Sequence, residues 1–362
     1  MREFHYFWFY LLLLAFLAQS AWVLFSRWHT PSRARAGALK AALLALSLLA
    51  AFVVLEGVFY FSVDVTDSAM ALLTSRRWAA RHLLPPGEFR HPPPTRTPAP
   101  AGAEQLEVCV IGDSLTYGQG VERAEDLYAS LIERRLRAAG VPARVSNYSQ
   151  LGWDTLSELG AFEELMRSGP RCRILVLGYC MNDIEAYLQY PPDVAAAVER
   201  LTTYPQALSP IANRSFLVSW LYNRWVVTTS PALRRLEDAV VAAYRNPQAF
   251  AAHTGDLRRF KETCDRLDVR LLVATFPHIV SPWAEYRYRD VHLKLAGFWE
   301  SLGVPTIDLL AAFERHYYRD LQASVFDSHP NELAHRIAAG EIYAELSRRM
   351  GLPEETNRGG TR

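Results

Sequence analysis

Two kinds of hydrophobic pattern divide the chain. Near the N-terminus the apolar residues run almost unbroken, from Phe7 to Phe25 (FWFYLLLLAFLAQSAWVLF) and again from Ala41 to Val63. Each run is long enough to cross a hydrocarbon layer of about 30 Å as a helix, so residues 1–63 are expected to form a two-helix transmembrane hairpin. From Leu106 onward, short apolar runs alternate with amphipathic ones. LEVCVI, RVSNY, RILVLGY, VRLLVATF and VPTIDL read as strands. DLYASLIERRLRAAG, TLSELGAFEELMRS, TGDLRRFKETCDRL, DVHLKLAGFWESL and NELAHRIAAGEIYAELSRRM read as helices. Such alternation predicts an α/β domain over residues 106–350, with a parallel sheet wrapped by helices. Residues 64–105 form a juxtamembrane segment with a helical stretch, followed by the proline-rich spacer HPPPTRTPAPAGA (His91 to Ala103). Residues 351–362 are read as a tail.

Charge orients the hairpin. Arg27, Arg33, Arg35 and Lys40 lie between the two apolar runs and close to both, which by the positive-inside rule makes that loop cytoplasmic and the large domain extracytoplasmic. The opposite orientation relies on Arg2 and on Arg76, Arg77 and Arg81, the last three well beyond Val63. A cleaved signal peptide competes for the first run, since AQSA offers small residues, but Arg2 alone is a poor basic leader. Glu56 falls within the second run. An ionisable residue there is a functional candidate by default, and its nearness to the helix end offers the plainer reading that it reaches the headgroups. Tyr190 to Phe250 departs from the alternation; its stretch SFLVSWLYNRWVV is too short and too charged to span, and it is expected to be an insertion that caps or lines the site.

Composition narrows the function. Half of the residues are apolar, enough for a large core, and 39 basic residues nearly cancel 38 acidic ones, so nothing marks a nucleic-acid surface. The four cysteines, Cys109, Cys172, Cys180 and Cys264, form no CxxC pair and no cluster with histidine, so neither zinc nor a disulfide framework is expected.

Candidate chemistry begins at VCVIGDSLTYGQG, Val108 to Gly120, where a strand turns at Gly112 and presents Asp113 and Ser114. A hydroxyl at the carboxyl end of a strand lies where α/β sheets bind ligands, so Ser114 is either a nucleophile or a helix cap. The GxSxG elbow is absent, because threonine stands where its second glycine would be. A serine nucleophile needs a base. Of the ten histidines, His5, His29, His82 and His91 belong to membrane or linker, and His253 reads as lying in a polar turn. His278 follows a strand, and His292, His316 and His335 fit helical packing. His329, in VFDSHPNELAHR, sits in a loop with Asp327 two residues before it, and an imidazole beside a carboxylate can be fixed in one tautomer and stabilised when protonated. The alternatives are that Asp327 and His329 close a turn and cap a helix, or that they join His335 as metal ligands, which a six-residue spacing disfavours. Donors for an oxyanion are offered by the Gly152 N–H and the Asn182 amide at other strand ends, with Asp183 as a cap.

Together, GDSL at Gly112 to Leu115, Gly152, the Asn182-Asp183 pair and the DSHPN run at Asp327 to Asn331 resemble, in that order, the four blocks of the SGNH/GDSL hydrolase superfamily. The resemblance covers about Leu106 to Met350 and implies a flavodoxin-like three-layer fold. It further implies Ser114 as nucleophile, His329 as base, and an oxyanion hole from the N–H groups of Ser114 and Gly152 with the Asn182 amide. Two departures stand out: Asp327 and His329 are spaced DxH, not the common DxxH, and Cys180 stands where glycine is common. The chain is therefore read as a membrane-tethered serine esterase that needs no metal or organic cofactor and acts on an acylated small molecule, lipid or polysaccharide. An O-acyltransferase on a surface polysaccharide or lipid is the neighbouring alternative. A non-catalytic, membrane-anchored scaffold that binds glycans or a partner protein is the distant one.

Overall fold

A computed structural model describes residues 4–26, 33–85, 88–91, 105–168 and 172–350. The proline-rich stretch beyond His91 and the tail expected over residues 351–362 lie outside the described residues. Helices α1 (Phe4–Ser26), α2 (Arg33–Ser62) and α3 (Leu73–His82) precede the first strand. The α/β part follows as β1 (Leu106–Gly112), α4 (Ser114–Tyr117), α5 (Tyr128–Ala138), β2 (Ala143–Asn147), α6 (Thr155–Ser168) and β3 (Ile174–Tyr179). Next come α7 (Pro192–Thr202), α8 (Ser209–Ala212), α9 (Phe216–Thr229), α10 (Leu236–Arg245) and α11 (Pro247–Arg266), then β4 (Arg270–Thr275) and α12 (Arg289–Ser301). The chain closes with β5 (Thr306–Asp308), α13 (Leu310–Phe313), a small hairpin of β6 (Gln322–Ser324) and β7 (Asp327–Pro330), and α14 (Glu332–Met350).

The five main strands pair in parallel in the order β2-β1-β3-β4-β5, the flavodoxin-like order. Alternation along each strand serves two cores. Cys109 and Ile111 of β1, with Leu175, Leu177 and Tyr179 of β3, face one side and pack with Phe162, Phe260 and Trp299. Val108, Val110, Ile174 and Val176 face the other and pack with Tyr128, Ile132, Ala338 and Ile342. Burial on both faces is why these strands read as unbroken apolar runs. Local chemistry sets the helix starts: Asn246 caps α11 ahead of Pro247, and the Asn331 side chain accepts the N–H groups of Leu333 and Ala334 at the start of α14.

The cysteines depart from expectation. Cys109 and Cys172 are joined in a disulfide, with Cα atoms 5.7 Å apart. They stand 63 positions apart in sequence, but pairing of β1 with β3 sets Val108 opposite Ile174 and brings Cys109 beside Cys172. Spacing alone carries no trace of that. Closing a loop of 63 residues constrains the unfolded chain by about 4 kcal/mol in the chain-entropy account. Replacing both cysteines by alanine is therefore expected to lower the urea midpoint markedly; an unchanged midpoint would mean that the bridge contributes nothing.

Chain contacts divide the molecule into two compact units, one of Met1–Val65, Ala69–Trp78 and Ala196–Pro231, the other of Thr66–Ser68, Ala79–Ala195 and Ala232–Arg362. In the first unit α1 and α2 pack as a helical hairpin, with the Tyr10 and Phe52 rings edge to face at 5.6 Å. Only Ala36–Ser62, 27 residues, is long and apolar enough to cross a membrane; the apolar part of α1 is the shorter Tyr10–Val23. The expected pair of spans is thus reduced to one among the described residues. Glu56 also departs from expectation. It is buried, and its carboxyl accepts the N–H groups of Phe216 and Leu217 at 2.8 and 2.9 Å and the Ser215 hydroxyl at 2.7 Å. It thus satisfies the open N-terminus of α9, where helix donors lack internal acceptors. At the C-terminal end of α2, the Arg77 guanidinium donates to the carbonyls of Tyr60 and Val63, at 2.6 and 2.5 Å. The sequence 190–250, expected as one insertion, is divided: α8 and α9 belong to this first unit and α10 and α11 to the second.

Candidate active site

Ser114 is the first residue of α4, directly after β1. The Asp113 carboxylate accepts the Leu115 N–H at 2.9 Å, so Asp113 is the helix cap and leaves the Ser114 side chain for other work. The turn is tight because two glycines face each other, Gly112 of β1 against Gly178 of β3. A Cβ on Gly112 would come within 2.8 Å of the Gly178 carbonyl and would collide with the Thr116 side chain, which occupies the space the glycines leave.

The expected base, His329, arrives from the far end of the chain. Ser114 Oγ lies 2.8 Å from His329 Nε2, and His329 Nδ1 lies 2.5 Å from Asp327 Oδ1. Residues two apart on a strand project to the same side, and β7 is such a strand, so the DxH spacing brings carboxylate and imidazole together. The same Asp327 oxygen also accepts the His329 N–H at 3.0 Å. Burial pulls the His329 imidazole down, but the Asp327 carboxylate, helped by Asp113 and Asp67, more than offsets it and leaves the pKa raised. Burial pushes Asp327 up; the His329 charge and hydrogen bonds overcome that and hold it at about 2. Asp327 is thus a charged carboxylate at neutral pH, set directly against the His329 ring.

Loops after β2 and β3, the strands on either side of β1, carry the other two expected residues. Gly152 has φ of +71°, which glycine adopts without strain, and open space surrounds the position of a Cβ. Asn182 is half-buried two residues beyond Tyr179's successor Cys180, and its side chain helps hold Asp113 charged. Asp183 accepts the Cys180 N–H at 2.9 Å, the capping role expected of it. Burial pushes the Cys180 thiol well up, with Asp113 adding to the effect, which suits a packing residue. Beneath these loops Asp113, Glu158 and Asp183 are fully buried carboxyls. Burial raises all three; proximity to Asp113 raises Glu158 further, and proximity to Glu158 raises Asp183.

Several contributors escaped the sequence. Ser68 Oγ donates to Asp327 Oδ1 at 3.3 Å and Gln119 Nε2 reaches Asp327 Oδ2 at 3.4 Å, so that carboxylate is held from two sides. Arg90, buried and expected to be linker, donates to the carbonyls of Gly118, Val121 and Glu122 at 2.7, 2.9 and 3.1 Å and so pins the loop behind α4. Nothing in the periodicity of residues 64–91 marks these roles, because single polar residues docking onto a distant loop leave no repeat. His278, after β4, stands close enough for His329 to depress it; burial first and that charge second bring it to about 4. His253 is not in a polar turn: it is buried in α11 with Nε2 2.8 Å from the Tyr179 hydroxyl, and burial lowers it to about 3.

A model of the GDSL-like lipase/acylhydrolase family matches residues 110–337, from inside β1 to the first half of α14. The chain belongs to that family. As a GDSL-like acylhydrolase it is a carboxylic ester hydrolase. No curated protein matches the chain. Among solved structures it is similar to TesA, at 13% identity over 67% of this chain and 99% of that one, with a TM-score of 0.42. It is also similar to the esterase EstA from a Pseudoalteromonas species, at 12% identity over 68% and 98%, TM-score 0.41. A third is LAE5, an alpha/beta hydrolase enzyme from a lake metagenome, at 18% identity over 66% and 94%, TM-score 0.41.

Proposed function

We propose that this acylhydrolase works through Ser114, His329 and Asp327. Ser114 Oγ attacks the ester carbonyl while His329 Nε2 takes its proton, and the imidazolium that forms is stabilised by Asp327. The oxyanion is met by the N–H groups of Ser114 and Gly152 and by the Asn182 amide. His329 then gives its proton to the departing alkoxide, leaving an acyl group on Ser114. Water, deprotonated by the same imidazole, releases the acid and restores the hydroxyl. The observation that carries this reading is the unbroken line of short contacts from Ser114 Oγ through both ring nitrogens of His329 to Asp327. Turnover of a short-chain nitrophenyl ester by the full chain tests it, with free acid as the product; transfer of the acyl group to an added carbohydrate in place of water would make the protein an acyltransferase.

The same proposal places the enzyme at a membrane. The hairpin of α1 and α2 is read as its anchor, α2 crossing the bilayer with α1 packed against it, and the catalytic unit as extracytoplasmic. The basic residues Arg33, Arg35 and Lys40 at the start of α2 support that orientation, and so does the Cys109–Cys172 bridge, since disulfides persist in oxidising compartments. Its substrates are then esters carried by surface lipids or polysaccharides. A reporter fused after Arg362 that requires export should be active; a reporter active only in the cytoplasm would invert the topology.

A further inference from the structure

The helix α9 has no ordinary surface. Its buried side carries Phe216, Leu217, Tyr222 and Val226, yet its outward side is apolar as well: Leu221 is 51% exposed and Trp225 56%. With the half-buried Val218 these fall at i, i+3 and i+7, one stripe along the helix. Ile211, in α8 just before it, is 52% exposed. A water-facing helix would carry polar residues at those positions, and an apolar stripe of this kind marks a contact surface.

Where α9 is held identifies what covers it. Its N-terminus is fixed by Glu56, a carboxyl buried on the flank of α2 within the apolar stretch Ala36–Ser62. Six residues, about 9 Å of helix, separate Glu56 from the end of that stretch. The Trp220 ring lies against Phe59 and the Phe216 ring against Tyr60, at 5.4 and 5.6 Å, so α9 stays beside the last turns of the span. If α2 crosses a bilayer of about 30 Å, a helix clamped there starts just inside the hydrocarbon edge. Tryptophan is the side chain most at home at that depth. Arg77, capping the carbonyls of Tyr60 and Val63, closes the polar end of the same layer.

We propose that α8 and α9 form an interfacial membrane element, with Leu221, Trp225 and Ile211 seated in the lipid boundary and Glu56 locking them to the span. The inference rests on the reading of α2 as a membrane anchor. Glu56 then has a task that explains an acidic residue in an otherwise apolar helix: it satisfies the α9 donors in a layer where water cannot. The occupant is lipid; blue-shifted emission at 221 and 225 that lipid-borne spin labels fail to quench would put a protein at this face instead and overturn the proposal.

The test uses the full chain in nanodiscs of phosphatidylcholine with some phosphatidylglycerol. Environment-sensitive fluorophores are attached to Trp225→Cys, Leu221→Cys and, as the span reference, Leu48→Cys, 63% exposed on α2. Cys180 and Cys264 are buried and compete little for label. The proposal predicts blue-shifted emission at 221 and 225, quenched most by lipids spin-labelled near the headgroup, and quenching at 48 by lipids labelled deep in the chain. Quenching at 48 with water-like, unquenched emission at 225 and 221 would overturn the proposal and leave the anchor intact. Absence of quenching at 48 would overturn the anchor and the proposal together.

Discussion

Replacing Ser114 by Ala is expected to lower kcat/KM toward a nitrophenyl ester by about 10,000-fold or more, or about 5.5 kcal/mol of transition-state stabilisation. His329→Ala should cost a similar factor, since the hydroxyl and the imidazole 2.8 Å away act on one proton. The double variant should be little worse than either single one, because groups that work as a unit fail as a unit. What activity survives would come from the oxyanion donors and substrate binding, which neither substitution touches. Steady-state kinetics on the three variants checks this: losses that multiply would mean that Ser114 and His329 serve independent tasks, and a Ser114→Ala enzyme with near-normal turnover would remove the serine from the mechanism.

Asp327→Asn carries the second large effect, a loss on the order of 1,000-fold with a displaced pH profile. Asp327, at about 2, is charged across any working pH, so titration of this acid does not shape the profile there. The base must be neutral to act, so kcat/KM rises as pH passes upward through the His329 pKa. That pKa is raised because Asp327, with smaller help from Asp113 and Asp67, outweighs burial. Without the carboxylate, burial is left as the larger influence, and the rising limb should move to lower pH even as the maximum falls. The amide would also donate toward Nδ1 and favour the wrong tautomer. A limb that stays in place would show that another group sets it; a loss of only a fewfold would assign the carboxylate a packing role.

How much of this was written in the sequence follows from the range of each interaction. The parallel sheet was legible because burial on both faces makes continuous apolar runs, as in LEVCVI and RILVLGY, and amphipathic helices separate them. That Ser114, His329 and Asp327 would meet was legible because each stands at a strand end or turn within a recognisable local string, and the DxH spacing suits that meeting once β7 is seen to be a strand. The Cys109–Cys172 bridge was hidden because it depends on which strands are neighbours, not on the distance along the chain. Ser68 and Arg90 were hidden for a related reason: they support the site from a stretch whose composition reads as tether. Glu56 misled because its partners, the N–H groups of α9, lie about 160 residues away and carry no signature of their own.

The central claim is that Ser114 is the acylated atom's owner, and intact-mass analysis of the full chain after treatment with a fluorophosphonate ester tests it most directly. The account predicts one phosphonyl adduct per chain, mapped to the peptide containing Ser114, and its disappearance in Ser114→Ala. An active enzyme that takes up no adduct, or an adduct mapped to a different residue, would contradict it.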